Sequence, residues 1–196
     1  KKNYIITTAS SEELFNHYKV RNKSTLVNFL YLGTTYGAYN FNSIIDLLKN
    51  LFNINYKFTF TIYTKDNKEH IKALLLKNRV LKDNIQIFDI DYKNIHKVIK
   101  NFDFLIFSCF ENDSIKASMP TKIGESLLSG VPILCNDFND DISQLINNDK
   151  VGIIIDFKDY DIKTLTYKIN NYLNDDSHKV RCRLIGEKYF SLSNAV

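Results

Sequence analysis

The sequence predicts an α/β fold, a Rossmann-like doubly wound sheet of six parallel strands. Two observations carry this: six apolar runs of strand length recur along the chain, and helical patterns separate them. The runs are LVNFLYLG (26–33), KFTFTIYT (57–64), NIQIFDI (84–90), FDFLIFSC (102–109), VPILCN (131–136) and VGIIIDF (151–157). In order, the first five precede helices expected at 42–51, 68–77, 92–101, 121–129 and 141–146. Runs that stay largely apolar describe strands buried on both faces, and a helix after each strand supplies the crossover that parallel pairing needs. The sixth run precedes two closing helical stretches, 159–174 and 176–190. Leu165, Ile169 and Leu173 repeat there at helical spacing, so these read as packing elements.

Residues 1–24 break the alternation. YIITT is a lone extended stretch, SSEELFNHYK resembles a capped helical turn, and VRNKST leads into the first strand. They are expected to be a connector from an upstream domain, with residues 25–196 forming the sheet domain. The chain has no initiator Met and begins in mid-pattern, as a piece of a longer protein would.

Composition narrows the function classes. With 196 residues, 44% hydrophobic and 24% charged, the chain suffices for one well-packed domain and is not a disordered segment. A net charge of +4 suits an anionic small ligand or an anionic membrane surface. It is too weak and scattered to argue for nucleic acid, and the many Lys, Tyr and Phe residues alternate into strands. Cys109, Cys135 and Cys182 are odd in number, lack ligand spacing and read as reduced, buried thiols. His17, His70, His96 and His178 have no ligand spacing either, and the last three are expected on solvated helical surfaces. No apolar run approaches the roughly 20 residues of a membrane span, and no signal peptide is visible.

A doubly wound sheet binds ligands at the carboxyl ends of its strands, where the strand order reverses. With the order 3-2-1-4-5-6, that crevice opens between strands 1 and 4. The loops that matter are GTTYGAYN after the first run and FENDSIKASMP after the fourth. The second loop delivers a short helix opening at Pro120-Thr121-Lys122. Pro is favoured in a first helical turn, because it has no N–H to leave unpaired. The N–H groups of Thr121 and Lys122 then face the crevice, and the Lys122 ammonium adds a full charge to the positive end of the helix dipole. Gly124 costs about 1 kcal/mol inside a helix and calls for a close approach by a ligand or another backbone. Helix side chains tilt toward the N-terminus, so Glu125 reaches back over the first turn, where a carboxylate accepts from two adjacent hydroxyls. A phosphate at the helix start and a diol one turn in describe a nucleotide diphosphate and its ribose. The same residues also fit an ordinary helix start, with Glu125 paired to Lys122 at i, i+3.

At these residues the sequence resembles a known family. S-x-x-A-S-x-P-T-K-x-G-E-x-L-x-x-G-x-P, from Ser114 to Pro132, is similar to the donor-binding segment of group 1 glycosyltransferases of the GT-B fold, in particular a bacterial subset with P-T-K before the glutamate. YLGTTYGAY (31–39) resembles that subset's turn after strand 1, IITTASSEELF (5–15) its interdomain segment, and KYFSLSNAV (188–196) its closing segment.

The resemblance implies the carboxy-terminal half of a two-domain enzyme that binds a nucleotide-sugar, of UDP type, and passes the sugar to a glycan or lipid-linked acceptor in surface polysaccharide synthesis. It implies a cytoplasmic location, peripheral at the inner face of the membrane, and no nucleic-acid partner. By carry-over, Lys122 and the N–H at Thr121 hold the diphosphate, and Lys122 stabilises the leaving group. Ser118 lies in the same segment, and Glu125 takes the ribose hydroxyls. Gly33, Thr34, Thr35 and Tyr36 approach the phosphates, and Asp91 and Tyr92 lie by the base. The catalytic base belongs to the upstream domain. Such enzymes usually need no metal or other cofactor, fixed cations and N–H groups serving instead.

The sequence departs from the pattern in three places. Ala117 stands where the broader family has a carboxylate, the turn after strand 1 has no Arg or Lys, and it has no Trp. Ala117 keeps open a nucleotide-binding or protein-interaction domain without transferase activity, and half of another GT-B enzyme, such as a sugar-nucleotide epimerase, is a third reading. Asp89-Ile90-Asp91 is a D-x-D, but Asp91 reads better as a helix cap than as a metal ligand. Asn139-Asp140-Asp141 likewise reads as a cap for the next helix.

Overall fold

A computed structural model describes residues 10, 11, 15, 26–89 and 91–194. The six runs pair, all in parallel, as β1 (Val27–Leu32), β2 (Phe58–Thr64), β3 (Ile85–Asp89), β4 (Phe104–Ile106), β5 (Ile133–Cys135) and β6 (Gly152–Ile154). Their order is β3-β2-β1-β4-β5-β6, so the reversal falls between β1 and β4 as expected. Phe29 pairs with Phe60 on one side and Phe104 on the other, and all three are fully buried. Runs 102–109 and 151–157 enter the ladder over only three residues each.

The helices are α1 (Phe41–Asn53), α2 (Lys68–Lys77), α3 (Ile95–Ile99), α4 (Asp113–Lys116), α5 (Thr121–Leu128), α6 (Asp140–Asn148), α7 (Ile162–Asn174) and α8 (His178–Phe190). Short polar side chains start most of them: Asn40, Asn67, Asn112, Asn139 and Asp161 each accept from a first-turn N–H. Two differences from expectation concern the loops over the crevice. The helix expected at 92–101 splits into a 3-10 turn, Tyr92–Asn94, and the short α3, because Asp91 accepts from Lys93 N–H and tightens the first turn. The loop 110–120 contains the single helical turn α4, which Asn112 caps.

α8 packs across α5 without room for side chains at two points. A Cβ at Gly186 would lie 2.6 Å from the Leu128 amide nitrogen, and one at Gly124 would lie 2.9 Å from the Cβ of Phe190. The close approach demanded by Gly124 is thus made by an aromatic side chain of α8, not by a ligand or a backbone. Phe190 itself ends in a short pairing, with Ser10 N–H donating to its carbonyl at 2.9 Å and Leu192 N–H donating to Ser10 at 3.1 Å. That pairing ties the closing segment to the few described residues of the expected connector. The rest of 1–24, including His17, lies outside the described residues.

His178 corrects another expectation. It is 3% exposed, not solvated. As the first residue of α8 it turns inward under Tyr172, with ring centroids 5.4 Å apart, and its Nδ1 lies 2.6 Å from the Asp175 carbonyl. The three thiols are buried and free, as expected. Among the described residues no helix is long and apolar enough to cross a membrane.

Candidate functional site

The crevice between β1 and β4 is built first by the chain leaving β1. Gly33 ends the strand at φ +105°, a conformation that side chains other than glycine rarely adopt, while its N–H donates to the Tyr63 carbonyl at 2.9 Å. The following turn is pinned by Asp66, from the loop after β2. Its Oδ2 accepts from Thr35 N–H at 2.6 Å, from the Thr35 hydroxyl at 2.8 Å and from the Thr34 hydroxyl at 3.3 Å. The Tyr31 hydroxyl donates to the Thr34 carbonyl at 2.7 Å. Thr34 and Thr35 therefore stand on the loop after β1, but both hydroxyls and the Thr35 N–H are committed to a carboxylate of the protein. Tyr36 projects from the rim and is 68% exposed. Asp66 lies on neither the loop after β1 nor the loop after β4, so the switch-point argument does not reach it. The available signal was an acid in TKDN, at the carboxyl end of the neighbouring strand.

The chain leaving β4 is sewn to this turn. Tyr39 and Cys109 form an antiparallel bridge, Asn40 N–H donates to the Ser108 carbonyl at 2.8 Å, and Phe110 N–H donates to the Ala38 carbonyl at 2.9 Å. Asn136, just past β5, accepts from Cys109 N–H at 2.8 Å and donates to its carbonyl at 3.1 Å. Asn139 caps α6 and, with its amide nitrogen, holds the Lys116 carbonyl at 2.6 Å and the Ser118 carbonyl at 3.3 Å. Ser118 turns its hydroxyl inward to the Ile115 carbonyl at 3.0 Å. Ala117 is exposed at the end of α4.

This framework delivers α5. Pro120 sits at the cap position itself (φ −61°, ψ 127°), one place earlier than expected, and supplies no side-chain cap. Helix geometry leaves the first-turn N–H groups without intrahelical acceptors, so those of Thr121 and Lys122 form the positive end of the helix. Thr121 is exposed, and Ile123, Leu127 and Leu128 are fully buried.

Lys122 lies in the seam between the two loops. It is 6% exposed, and its Nζ has no hydrogen-bond partner among the described residues. It sits 3.6 Å from the ring centroid of Tyr39, 5.0 Å from that of Phe107 and 5.6 Å from that of Tyr31. A Cβ on Gly33 would lie 3.5 Å from it. Burial pushes the Lys122 ammonium down to about 7, with Cys109 and Glu125 opposing the shift. Glu125, half-buried one turn on, is held above the usual carboxylate range by its own burial, and Lys122 opposes that. The i, i+3 pair is thus absent as a hydrogen bond, and the two groups interact only through space.

Across the rim, Asp91 and Tyr92 follow β3. Asp91 is exposed and caps its turn, and Tyr92 is 50% exposed with Lys65 Nζ 4.9 Å from its ring centroid. Asp89 pairs with Lys68, so both acids of the D-x-D have protein partners. The structure brings Gly33, Thr34, Thr35, Lys122 and Glu125 to one switch point, with Asp91 and Tyr92 on the neighbouring loop. Tyr39, absent from the expected site, lies closest of the three rings to the Lys122 ammonium. Two concavities lie elsewhere, one of about 180 Å³ bordered by Met119, Leu145 and Phe190, the other of about 190 Å³ bordered by Ile154, Asp156 and Tyr160.

Comparison with known proteins adds three findings. The family profile described as Glycosyl transferases group 1 matches residues 12–189. No curated protein sequence matches the chain. Among solved structures, a glycosyltransferase from Rickettsia africae superposes with a TM-score of 0.72 at 15% identity, covering 98% of this chain and 54% of its own. HepE from Anabaena, solved with UDP and glucose, superposes with a TM-score of 0.70 at 12% identity, covering 98% and 54%. The lipopolysaccharide outer core galactosyltransferase WaaB gives 0.69 at 14% identity, covering 98% and 53%. At these identities the likeness carries the fold, that of the carboxy-terminal half of a GT-B glycosyltransferase, and the chain spans about half the length of these structures.

Proposed function

This chain belongs to the group 1 glycosyl transferases, and we propose that it is the donor-binding half of a two-domain enzyme of the P-T-K-x-G-E subset. In this reading residues 25–196 hold a nucleotide diphosphate sugar and residues 1–24 lead to an upstream acceptor domain. The sugar passes to a glycan or lipid-linked acceptor of a surface polysaccharide, at the inner face of the membrane. The diphosphate lies against the N–H groups of Thr121 and Lys122 and meets the Lys122 ammonium, beside Gly33. Glu125 takes the ribose hydroxyls, and Asp91 and Tyr92 border the base. As the bond between sugar and diphosphate breaks, negative charge grows on the leaving oxygen. Once the diphosphate is bound, the protonated Lys122 and the oriented N–H groups are in place to stabilise it. The acceptor's proton goes to a base on the upstream domain.

One observation carries the reading. A buried ammonium for which the described residues offer no hydrogen-bond partner sits at the positive end of a helix, at the point where the strand order reverses. Such a charge is costly unless an anion neutralises it. HepE and TarM, which share this fold, were solved with UDP, and this supports the nucleotide class. The names of WaaG and WaaB, both tied to lipopolysaccharide, support the acceptor class.

The test is a thermal shift of this chain against UDP, GDP, CDP and ADP. A ligand at 100 times its dissociation constant adds about 2.7 kcal/mol. UDP is expected to stabilise the chain, and Lys122→Met and Glu125→Gln to abolish or reduce the shift. A shift unchanged in both variants refutes the placement. Ala117 favours one second reading, a nucleotide-binding domain without transfer. Absence of sugar transfer by a protein with its upstream domain would select it.

A further inference from the structure

Lys122 Nζ is not merely unpaired; it has essentially no contact with solvent. A diphosphate therefore cannot reach it without a side-chain movement. Lys122 itself is anchored at the start of α5 between Pro120 and Ile123, and the Ile123 N–H is bonded to the Pro120 carbonyl at 3.0 Å. The backbone is fixed, so the movement belongs to the four-carbon stem or to whatever covers its tip.

What covers the tip is aromatic. Tyr39 lies over it at 3.6 Å, a separation at which the ring face attracts a cation, and Tyr31 and Phe107 close the remaining sides at longer range. Tyr31 is immobile: it is fully buried, and its hydroxyl is spent on Thr34. Phe107 is also fully buried. Tyr39 is different. It is only half-buried, and it belongs to the loop between β1 and α1, whose turn depends on Asp66. Its backbone is held by the bridge to Cys109, so an opening of the cage at Tyr39 would be a turn of its side chain.

We propose that Tyr39 is a positioning residue for donor binding: its ring cages the Lys122 ammonium away from water and releases it to the arriving diphosphate. The proposal rests on the donor-site reading above and adds a gate to it. The ring shields the Lys122 tip from water and attracts it by its face when it is protonated, so Lys122 stays at the helix start without an acid that would compete with phosphate. Glu125 is near enough to be felt but makes no hydrogen bond to the ammonium.

Caging has a consequence that contact with phosphate reverses. Burial lowers the Lys122 ammonium to about 7, with Cys109 from the end of β4 and Glu125 from α5 opposing. The other titratable groups around it, Tyr31 and Tyr39, are themselves pushed up by burial and stay neutral at these pH values. Contact with a diphosphate favours the charged form. Binding must then take up a proton, about half of one at pH 7 and close to a whole one at pH 8. At pH 8 the terminal phosphate, with a pKa of about 6, is already ionised and contributes nothing.

Two measurements test this. The first is calorimetric titration with UDP at pH 8 in two buffers of different ionisation enthalpy. Native chain and Tyr39→Phe, which keeps the ring, are expected to take up close to one proton; Tyr39→Leu is expected to bind with little or no uptake. A merely structural Tyr39 would change affinity and leave the uptake alone, and equal uptake in Tyr39→Leu overturns the proposal. The second needs no nucleotide: an NMR pH titration of the Lys122 side chain, assigned by its loss in Lys122→Met. Lys122 is expected to titrate near 7 in the native chain and in Tyr39→Phe, and to return toward the ordinary lysine value of 10.5 in Tyr39→Leu. A native Lys122 that titrates near 10.5 overturns the cage whatever binds. A caged Lys122 in a chain that binds none of the four nucleotides refutes the donor reading and leaves no gate for a diphosphate.

Discussion

Lys122 and His178 share a condition that few side chains in a folded domain have. Each buries a nitrogen for which the described residues offer no hydrogen-bond partner. Their surroundings differ. His178 lies at the turn between α7 and α8, with Nδ1 against the Asp175 carbonyl and its ring against Tyr172. A carbonyl only accepts, so Nδ1 carries the proton of a neutral ring and Nε2 is left as a bare acceptor. Burial pushes this ring's pKa below the ordinary value and keeps it neutral. Lys122 instead offers three donors when protonated, and among the described residues aromatic faces lie closest to that charge. A bare acceptor on a neutral ring is a modest penalty, whereas a bare ammonium is a large one, so the first belongs to packing and the second to binding. Position agrees. His178 starts a helix beside the amino end of β4, where the adjacent Lys179 reaches the Phe102 carbonyl, and Lys122 starts the helix that points into the crevice at the carboxyl ends.

The sharpest way to break the comparison is to replace both groups by apolar ones. Lys122→Met is expected to lower affinity for a nucleotide diphosphate by at least about tenfold, the value of one charge-assisted hydrogen bond. It should leave the melting temperature equal or higher, since it removes an unpaired buried charge of similar volume. His178→Leu is expected to leave the affinity as it is. Calorimetry and thermal melts on both variants read the contrast. If His178→Leu weakens binding as much as Lys122→Met does, the division fails.

Next in size is Asp66, which holds three donors of the turn that faces Lys122. Asp66→Ala leaves those donors unpaired in a half-buried place and is expected to cost about 1.5–3 kcal/mol in denaturant unfolding. Asp66→Asn keeps an acceptor oxygen and removes a negative charge near the proposed phosphate site. It is expected to cost less and not to weaken diphosphate binding. If Asn weakens binding as Ala does, the carboxylate has a direct part in the site beyond shaping the loop.

Gly124 sharpens the comparison from the other side of α5. An alanine Cβ would meet Phe190 at 2.9 Å, so Gly124→Ala overpacks the α5–α8 contact and is expected to cost about 1–3 kcal/mol. Affinity for a diphosphate should stay within about twofold, an energy difference below about 0.5 kcal/mol. Its position is a lesson in what sequence can reveal. A glycine inside a helix announces a close approach, but not by whom; the partner, Phe190, is 66 positions later and had no local mark. The parallel sheet, its order and the place of the crevice were legible, because apolar runs and their spacing express burial directly. The roles of Thr34 and Thr35 were not. Whether a hydroxyl faces a ligand or a neighbouring carboxylate depends on what lies beside it in space, and Asp66 comes from a different loop. His178 was misplaced for a similar reason: α8 has no clear apolar stripe, so periodicity could not say which way its first residue turns.

The smallest expected effect is the pH dependence that His178 alone contributes. Its folded pKa lies below the ordinary 6.5 because burial disfavours the charged ring, with the Asp175 carbonyl opposing. Between that lowered value and 6.5 the unfolded chain binds more protons than the folded one, so stability rises with pH across this window and is lost as pH falls through it. Lys122, lowered to about 7 in the folded chain, overlaps the upper part of this window with the same sign, and it is common to the native chain and a His178 variant. Carboxylates overlap at the acid end. Asp161 and Asp175, held low by hydrogen bonds from Thr164 and from Ser177, lose their contribution at still lower pH, and Glu125, raised by burial, has the opposite slope. The measurement is therefore a difference: melting temperatures of the native chain and of His178→Leu at pH 5, 6, 7 and 7.5. The native chain should lose more stability than the variant between pH 7 and 5, while UDP affinity shows no such difference. Parallel melting curves would mean that the ring is charged or solvated, and a pH-dependent difference in affinity would mean that His178, like Lys122, belongs to the site.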